Sequence, residues 1–456
     1  MITTTEVPAC GRCGSTALHH AVHGMPSHEL LEEAQHQPNL RLAGCVVLEG
    51  DWSTECLTCG QRQLFGSYDA SLWTTATRPD TAGLVTRYAA LARASLGMQE
   101  TTAVSYTGLW LLLARLAPAA SDTHRARLAE VLGVSCDDAA ALTADLLAAP
   151  HPTIATALGA WSRVSVTVGL PVVLNELPDQ ADLDRWAAEH TRGLIERFPL
   201  QINPATLLVF ATALVLQPRW NQELATDDDG LLVLDGGLQT LVDTDAAGRV
   251  AVAKPFSEDG VDVVSVIAAP EVSPPDVWRA VDEVIAKLNR GALWHGEHPD
   301  GELTDGHSWT VRETTETFIG WDAPADFDDL WRSHLPRWRG DAVSELTDAP
   351  GVAELTASLT EVVPELAGPT ECVQAATAAY DENGFSAAAV TALAMAMGAP
   401  TYVERTIRRI EITFDRPHAV VAIARGGLWE GMPIFQSWVT PDMRTRLPRR
   451  QSSTSN

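Results

Sequence analysis

The segment DENGFSAAAVTALAMAMGAP, residues 381–400, constrains this chain more than any other stretch. Ala, Leu and Met are strong helix formers, so propensity alone reads it as a helix. Its pattern reads otherwise. From Thr391 to Met397 the residues alternate by size, and extended backwards the same face carries Ala389, Ala387 and Phe385. Period two belongs to a strand with its larger side chains on one face. Small residues on the other face let such a strand slide between neighbours. No charge occurs from residue 385 to residue 403, yet the stretch contains Pro400 and is too weakly apolar for a membrane-spanning helix. One segment is thus compatible with helix, exposed loop and inserted strand, and its host must accommodate a change of state.

The host is long enough, at 456 residues, for two or three domains or one large domain with an appendage. Helix-period stretches fall at 84–96, 109–116, 124–132, 182–195 and 278–288. Ser121 and Asp122 can cap the third, and Gly133 closes it. Strand-like runs fall at 261–268 and 418–424. The apolar run 207–216 has the length of a buried strand, although periodicity alone leaves a helix open. Helices and strands mixed without a βαβ rhythm predict an α+β fold. The 59 acidic against 32 basic residues leave a net charge of −27. Such a surface repels phosphate backbones and anionic lipid, so neither nucleic acid nor membrane is an expected partner. No HExxH, GxSxG or phosphate-cradling glycine loop occurs, and an enzyme is not expected.

Residues 1–75 read as a separate module, 76–83 as a linker, 84–443 as the main domain and 444–456 as a frayed tail. Two knuckles, Cys10-Gly-Arg-Cys13-Gly14 and Cys56-Leu-Thr-Cys59-Gly60, lie in the first module. Each sets two thiolates in one tight turn, and the pair can hold one structural Zn²⁺ in a tetrahedral Cys₄ site of zinc-ribbon type. Low local basicity favours a protein partner for this module over nucleic acid. The singletons Cys45, Cys136 and Cys372 read as small buried hydrophobes. An odd cysteine count, with neither a basic patch nor an apolar run over residues 1–10, predicts a reducing, cytoplasmic setting.

The 381–400 segment resembles the hinge and reactive-centre loop of serpins, where an acidic residue, any residue, Gly and a small residue precede a run of Ala. Glu382, Gly384 and Ala387, Ala388 and Ala389 match that pattern. Other blocks agree in order. Val104-Ser105-Tyr106-Thr107-Gly108-Leu109 resembles the serine-rich block that opens a buried helix, and residues 123–133 the helix after it. Residues 186–195 resemble the helix end before the third strand of the main sheet, and 211–220 that strand with its following Trp. Leu335-Pro336-Arg337-Trp338 is similar to the LPxF block, Phe414-Asp415-Arg416-Pro417 to the block after the loop, and residues 438–441 to the C-terminal strand. The resemblance covers roughly residues 84–441 and is to divergent, bacterial-type members, which here carry the added N-terminal module.

What the resemblance implies is a serpin fold: a large mixed central sheet, smaller sheets, surrounding helices and an exposed loop. It also implies suicide-substrate inhibition of a serine or cysteine protease, a serine protease being the first expectation. The protease attacks the loop, and the cut loop enters the main sheet as a new central strand. The hinge comprises Glu382, Gly384, Phe385, Ser386, Ala387, Ala388, Ala389, Val390 and Thr391. Counted at the family's spacing, the scissile bond falls at Gly398–Ala399. Glycine offers no side chain to a protease pocket, so Met397, or Ala396, is the alternative residue before the cut. The shutter positions are Ser105, Thr212 and Gln374. In the uncut chain, 385–397 is expected to stay outside the sheet, with Phe385, Leu393, Met395 and Met397 partly wet.

The chain departs from the family pattern at Phe385, where Thr or Ser is usual, at Thr212 for Asn, at Gln374 for His and at Ser437 for Gly. The stretch between Trp161 and Trp186 is short, and the far side of the loop, 399–411, is long and carries Arg405, Arg408 and Arg409. These departures keep two alternatives open: a non-inhibitory serpin scaffold that binds a partner, and a regulatory protein led by the zinc module.

Overall fold

The structure, a computed structural model, describes residues 4–10, 18–22, 40–42, 52–56, 61–64, 72–97, 100, 103–149, 151, 153–164, 172–257, 260–298, 303–319, 323–368, 370–385 and 402–443. It is α+β, as expected. The apolar helix Tyr106–Leu116 lies at the centre of the largest core, with Trp110, Leu113 and Leu116 fully buried. The helices Thr81–Leu96, Asp122–Leu132, Cys136–Ala148 and Val352–Val362 pack around it.

Capping chemistry sets the helix ends. Asp80 accepts from Gly83 N at 2.9 Å and starts the first helix three residues before its apolar periodicity. Gly133 closes Asp122–Leu132 in the left-handed conformation, φ 81°. The helix Gln180–His190 stops five residues short of the expected 195. The Thr191 hydroxyl donates to Ala187 O at 2.7 Å and accepts from Ile195 N at 2.9 Å, turning the chain out of the helix. Among the described residues no helix is long and apolar enough to cross a membrane.

Four larger sheets carry the main part. Leu238–Thr244, Gly248–Lys254, Val261–Ile267, His418–Ala424 and Pro433–Val439 form an antiparallel five-stranded sheet. Its second face is covered by the helix Pro274–Asn289, through Val277, Val281, Val284 and Ile285. Ala225–Thr226, Leu232–Leu234, Asp329–Leu335, Tyr402–Thr413 and Trp309–Ile319 form another five-stranded sheet. The other two are half-sheets: Asn175–Glu176, Ile154–Ser162 and Leu208–Leu216 in one, Trp338–Glu345 and Val373–Tyr380 in the second.

In the N-terminal part, Thr4–Cys10 pairs antiparallel with Trp73–Pro79, and Leu40–Leu42, Leu18–Val22, Trp52–Cys56 and Arg62–Leu64 form a four-stranded sheet. The expected linker 76–83 is instead the end of the strand Trp73–Pro79 and the start of the helix Thr81–Leu96. Its threonines, β-branched, pair as a strand with Thr4–Cys10 up to Pro79, and Asp80 turns the chain straight into the helix.

One buried ion cluster fixes the large antiparallel sheet. Asp262 accepts from Lys254 Nζ at 2.8 Å and Arg425 Nε at 2.6 Å, and all three side chains are buried. Burial alone would push the Asp262 carboxyl up, but the two cations hold it well below the usual carboxylate range. A depressed folded-state value contributes stability above the unfolded-state value, about pH 4, and loses it as pH falls further. Asp262→Asn leaves two buried cations facing a neutral amide. It is expected to destabilise the fold by about 3–5 kcal/mol in urea unfolding at pH 7, with a smaller deficit at pH 3.

Candidate functional site

The two half-sheets meet without joining. Among the described residues, Leu208–Leu216 pairs only with Ile154–Ser162, and Val373–Tyr380 only with Trp338–Glu345. Each therefore presents one strand edge outside any ladder. The two edges are nonetheless neighbours, because the start of the central helix lies beneath both. Thr212 Oγ1, Ser105 Oγ and Gln374 Nε2 stand 3.4, 3.5 and 3.6 Å from the place a Cβ on Gly108 would take.

Ser105, Thr212 and Gln374, read in the sequence as the shutter positions, meet there. Gln374 Oε1 accepts from Ser105 N at 2.7 Å, and its Nε2 donates to Ser105 O at 2.9 Å. Thr212 Oγ1 donates to Gly108 O at 3.2 Å, and Ser105 Oγ to Ile434 O at 2.7 Å. Gln374 thus ties one half-sheet to the helix start and Thr212 ties the other, while no ladder bond links the halves. Polar ties of this kind can be exchanged as the edges move apart, whereas an apolar seam would have to be unpacked.

At the far end the hinge closes the gap. Asn383 O accepts from Trp220 N at 3.0 Å, Glu382 O from Leu224 N at 2.8 Å, and Pro218 O from Phe385 N at 3.0 Å. Trp220 Nε1 donates to Asp381 O at 2.9 Å, and Glu382 forms an ion pair with Arg337. Gly384 has to be glycine: a Cβ there would sit 2.4 Å from Pro218 O. Phe385 is 3% exposed and lies edge-on to Trp338, ring centroids 6.0 Å apart. The expectation that Phe385 is partly wet in the uncut chain is therefore wrong. The bridge between Arg219 and Gly384 draws the first loop residues between the half-sheets, and the aromatic pair Trp338–Tyr380 receives the ring.

Just inside this mouth is a cavity of about 210 Å³ lined by Leu216, Arg337, Trp338, Thr377, Tyr380 and Phe385. Tyr380 Oη and Arg337 Nε are buried there without a hydrogen-bond partner among the described residues. Burial pushes the Tyr380 hydroxyl well above its ordinary pKa, so it stays a protonated donor. Among the described residues, the slot is thus bordered by two strand edges outside any ladder.

Beyond the loop, Tyr402–Thr413 is paired on both sides. It runs antiparallel to Trp309–Ile319 from Tyr402 to Ile412 and parallel to Asp329–Leu335. Arg408 holds Asp329 at 2.5 and 2.6 Å, and Arg409 holds Glu316 at 2.5 Å. The arginines noted in the sequence on the far side of the loop pin its exit.

Of the expected hinge, Glu382, Gly384 and Phe385 are described. Ser386, Ala387, Ala388, Ala389, Val390 and Thr391 lie outside the described residues, as do the reactive-site residues Met397, Gly398 and Ala399. Of the metal ligands, Cys10 and Cys56 are fully buried in one small cluster with Leu18, while Cys13 and Cys59 lie outside the described residues. Sequence reasoning missed Pro218, Arg337 and Tyr380 as partners of the hinge. The signal was present for Arg337, in the LPRW block.

No protein-family model and no curated protein matches this sequence. Solved structures do. The mouse protein Z-dependent protease inhibitor superposes with TM-score 0.55 at 12% identity, over 79% of this chain and 97% of that one. The native thermophilic serpin tengpin gives 0.51 at 15%, over 79% and 92%. Thyroxine-binding globulin in complex with thyroxine gives 0.50 at 12%, over 79% and 98%. The chain has the serpin fold.

Proposed function

We propose that the chain is a serpin that inhibits a serine or cysteine protease as a suicide substrate, a serine protease being the favoured target. The observation that carries this is that, among the described residues, Leu208–Leu216 and Val373–Tyr380 are not paired with each other, with Gly384 and Phe385 bound at the mouth of the slot between them. The protease nucleophile attacks a loop carbonyl at Met397 or Gly398, and the amine of the following residue departs, leaving the acyl-enzyme on the N-terminal side of the cut. The freed segment then pairs inward from Phe385, residue by residue. Its 13 residues from 385 to 397 span about 40 Å as a strand, at roughly 3.3 Å each. The acylated protease is carried along and distorted before water can release it.

The test is incubation with a panel of subtilisin-like and elastase-like proteases, followed by denaturing electrophoresis. A band at the summed mass that survives SDS is expected. Cleavage of the loop by every protease in the panel, with no such band, contradicts the proposal.

A second reading rests on Phe385. A bulky aromatic seated against Trp338 could plug the slot and leave a non-inhibitory scaffold that binds a partner instead. The fold hosts both kinds of protein, since one of the similar structures carries the name of a protease inhibitor and another that of a thyroxine-binding globulin.

The N-terminal module is proposed to hold one structural Zn²⁺ through Cys10, Cys13, Cys56 and Cys59, in a reducing, cytoplasmic setting, and to dock a protein partner. The donor set fits: Cys10 and Cys56 are buried together, and Cys56 N donates to Gln61 O at 2.8 Å across the second knuckle. Elemental analysis of freshly purified protein is expected to give one zinc per chain, lost in Cys56→Ser. A zinc-free chain whose folding is unchanged by Cys13→Ser and Cys56→Ser contradicts it.

A further inference from the structure

Phe327 is 68% exposed, and its φ of 70° holds a bulky residue in the left-handed region. That conformation costs energy for a residue with a large side chain, and a ring left in water returns none of it to the fold. The strand after the loop imposes it. Phe327 N donates to Thr406 O at 2.6 Å and Thr406 N to Asp326 Oδ1 at 3.1 Å. Arg408 N donates to Asp328 O at 2.9 Å and Arg405 Nε to Pro324 O at 3.2 Å.

Along Tyr402–Thr413, the face that is buried at Ile412 and Ile410 emerges through Thr406 to the exposed Glu404 and Tyr402. Trp309–Ile319 widens it. Thr315 lies opposite Thr406 with the two hydroxyls 3.1 Å apart, Thr317 lies opposite Glu404, and Ile319 opposite Tyr402. Tyr402 and Ile319 are 63% and 37% exposed. A strip of about 13 Å, the rise of four strand residues, leads from this pair to Thr406, where Phe327 is bound. Glu404 and, further along the same face, Glu313 are exposed and form no ion pair among the described residues.

We propose that this strip is a docking surface for the attacking protease, one whose rim carries apolar residues together with Lys or Arg. The proposal rests on attack at Met397 or Gly398. Tyr402 follows Gly398 by four residues, so it lies within about 14 Å of it along any path of the chain. A protease that encloses the bond therefore stands over Tyr402. Tyr402, Ile319 and Phe327 meet its apolar rim, and Glu404 and Glu313 meet its cations. The net charge of −27 draws a basic protease to the chain.

The probe is a strongly basic elastase acting on the full chain, with cuts located by mass spectrometry. Rates are normalised to hydrolysis of a small chromogenic peptide at the same salt. Phe327→Gly and Tyr402→Ala are each expected to slow cutting within 386–401 at least fivefold. Phe327→Gly also relieves the backbone, so it is expected to melt no lower than the parent, which separates docking from a structural role. Glu404→Lys is expected to slow cutting at least tenfold. Raising NaCl from about 0.05 to about 0.5 M is expected to slow the parent at least fivefold, because exposed charges are screened. Leu91→Ala, an exposed position on the helix Thr81–Leu96, should leave the rate unchanged. The proposal is overturned by the absence of any cut within 386–401, by a rate that salt does not change, or by parental rates in Phe327→Gly and Tyr402→Ala. Cutting without an SDS-resistant band would end the inhibitor reading alone, since the same rates still measure docking.

Discussion

A single cut within residues 386–401 is expected to raise the melting temperature of the main domain by roughly 10 °C or more, at about 2–4 °C per kcal/mol for domains of a few hundred residues. In the uncut chain both ends of the segment are held. Gly384 and Phe385 are bound at Pro218 and Arg219, and Tyr402–Thr413 is paired on both sides. On the inhibitor reading, the exit tether keeps the segment from running down the slot. After the cut, the edges of Leu208–Leu216 and Val373–Tyr380 gain a common partner. Leu393, Met395 and Met397 become buried, each contributing roughly 1.5–3 kcal/mol when fully covered. Phe385 adds nothing to this change, because it is buried already. The gain comes instead from the ladder on both edges. An unchanged or lower melting temperature after a cut confirmed by mass would leave the Phe385 plug, and the non-inhibitory scaffold, as the better account.

Ala387→Arg is expected to turn the inhibitor into a substrate, with SDS-resistant complex reduced at least tenfold and loop cleavage retained. Position 387 lies two residues beyond Phe385 and, with Ala389, shares its face of the alternating segment. An inserted strand would carry this residue into the packed slot beyond the Trp338–Tyr380 pair. A guanidinium there would enter the apolar core beside Trp338, Tyr380 and Phe385, and burying it costs several kcal/mol. Insertion stalls after its first residues, and deacylation overtakes it. Retained trapping by this variant would mean that the loop does not enter the sheet. Ala387→Val, which fills the same position without charge, is expected to trap nearly as well as the parent.

The parts of this architecture that local pattern controls were legible in the sequence. The run 207–216 is a strand, Leu208–Leu216, and His418–Ala424 has the expected bounds, because continuous apolar residues of that length are covered on both faces. Ser105 and Thr212 fall in resembling blocks, and the structure brings both together with Gln374 at the start of the central helix. Three features were not legible, for physical reasons. The early end of the helix Gln180–His190 depends on a hydroxyl at Thr191 folding back on its own turn, while the apolar periodicity runs on to Ile195. The strand at 73–79 needs a partner, Thr4–Cys10, some seventy residues away, and local composition reads the same threonines as a linker. The burial of Phe385 depends on Trp338 and Tyr380, which arrive from two different strands. Taken alone, a phenylalanine in a hinge of small residues looks like a side chain left in water.

The central claim is that the slot between the half-sheets receives the loop, and hydrogen–deuterium exchange before and after a single cut within 386–401 tests it most directly. The account predicts that amides of residues 386–397 exchange fast in the uncut chain and become strongly protected after the cut. The edges Leu208–Leu216 and Val373–Tyr380 should gain protection at the same time. Exchange of 386–397 that stays fast after a confirmed cut, with both edges unchanged, would contradict it.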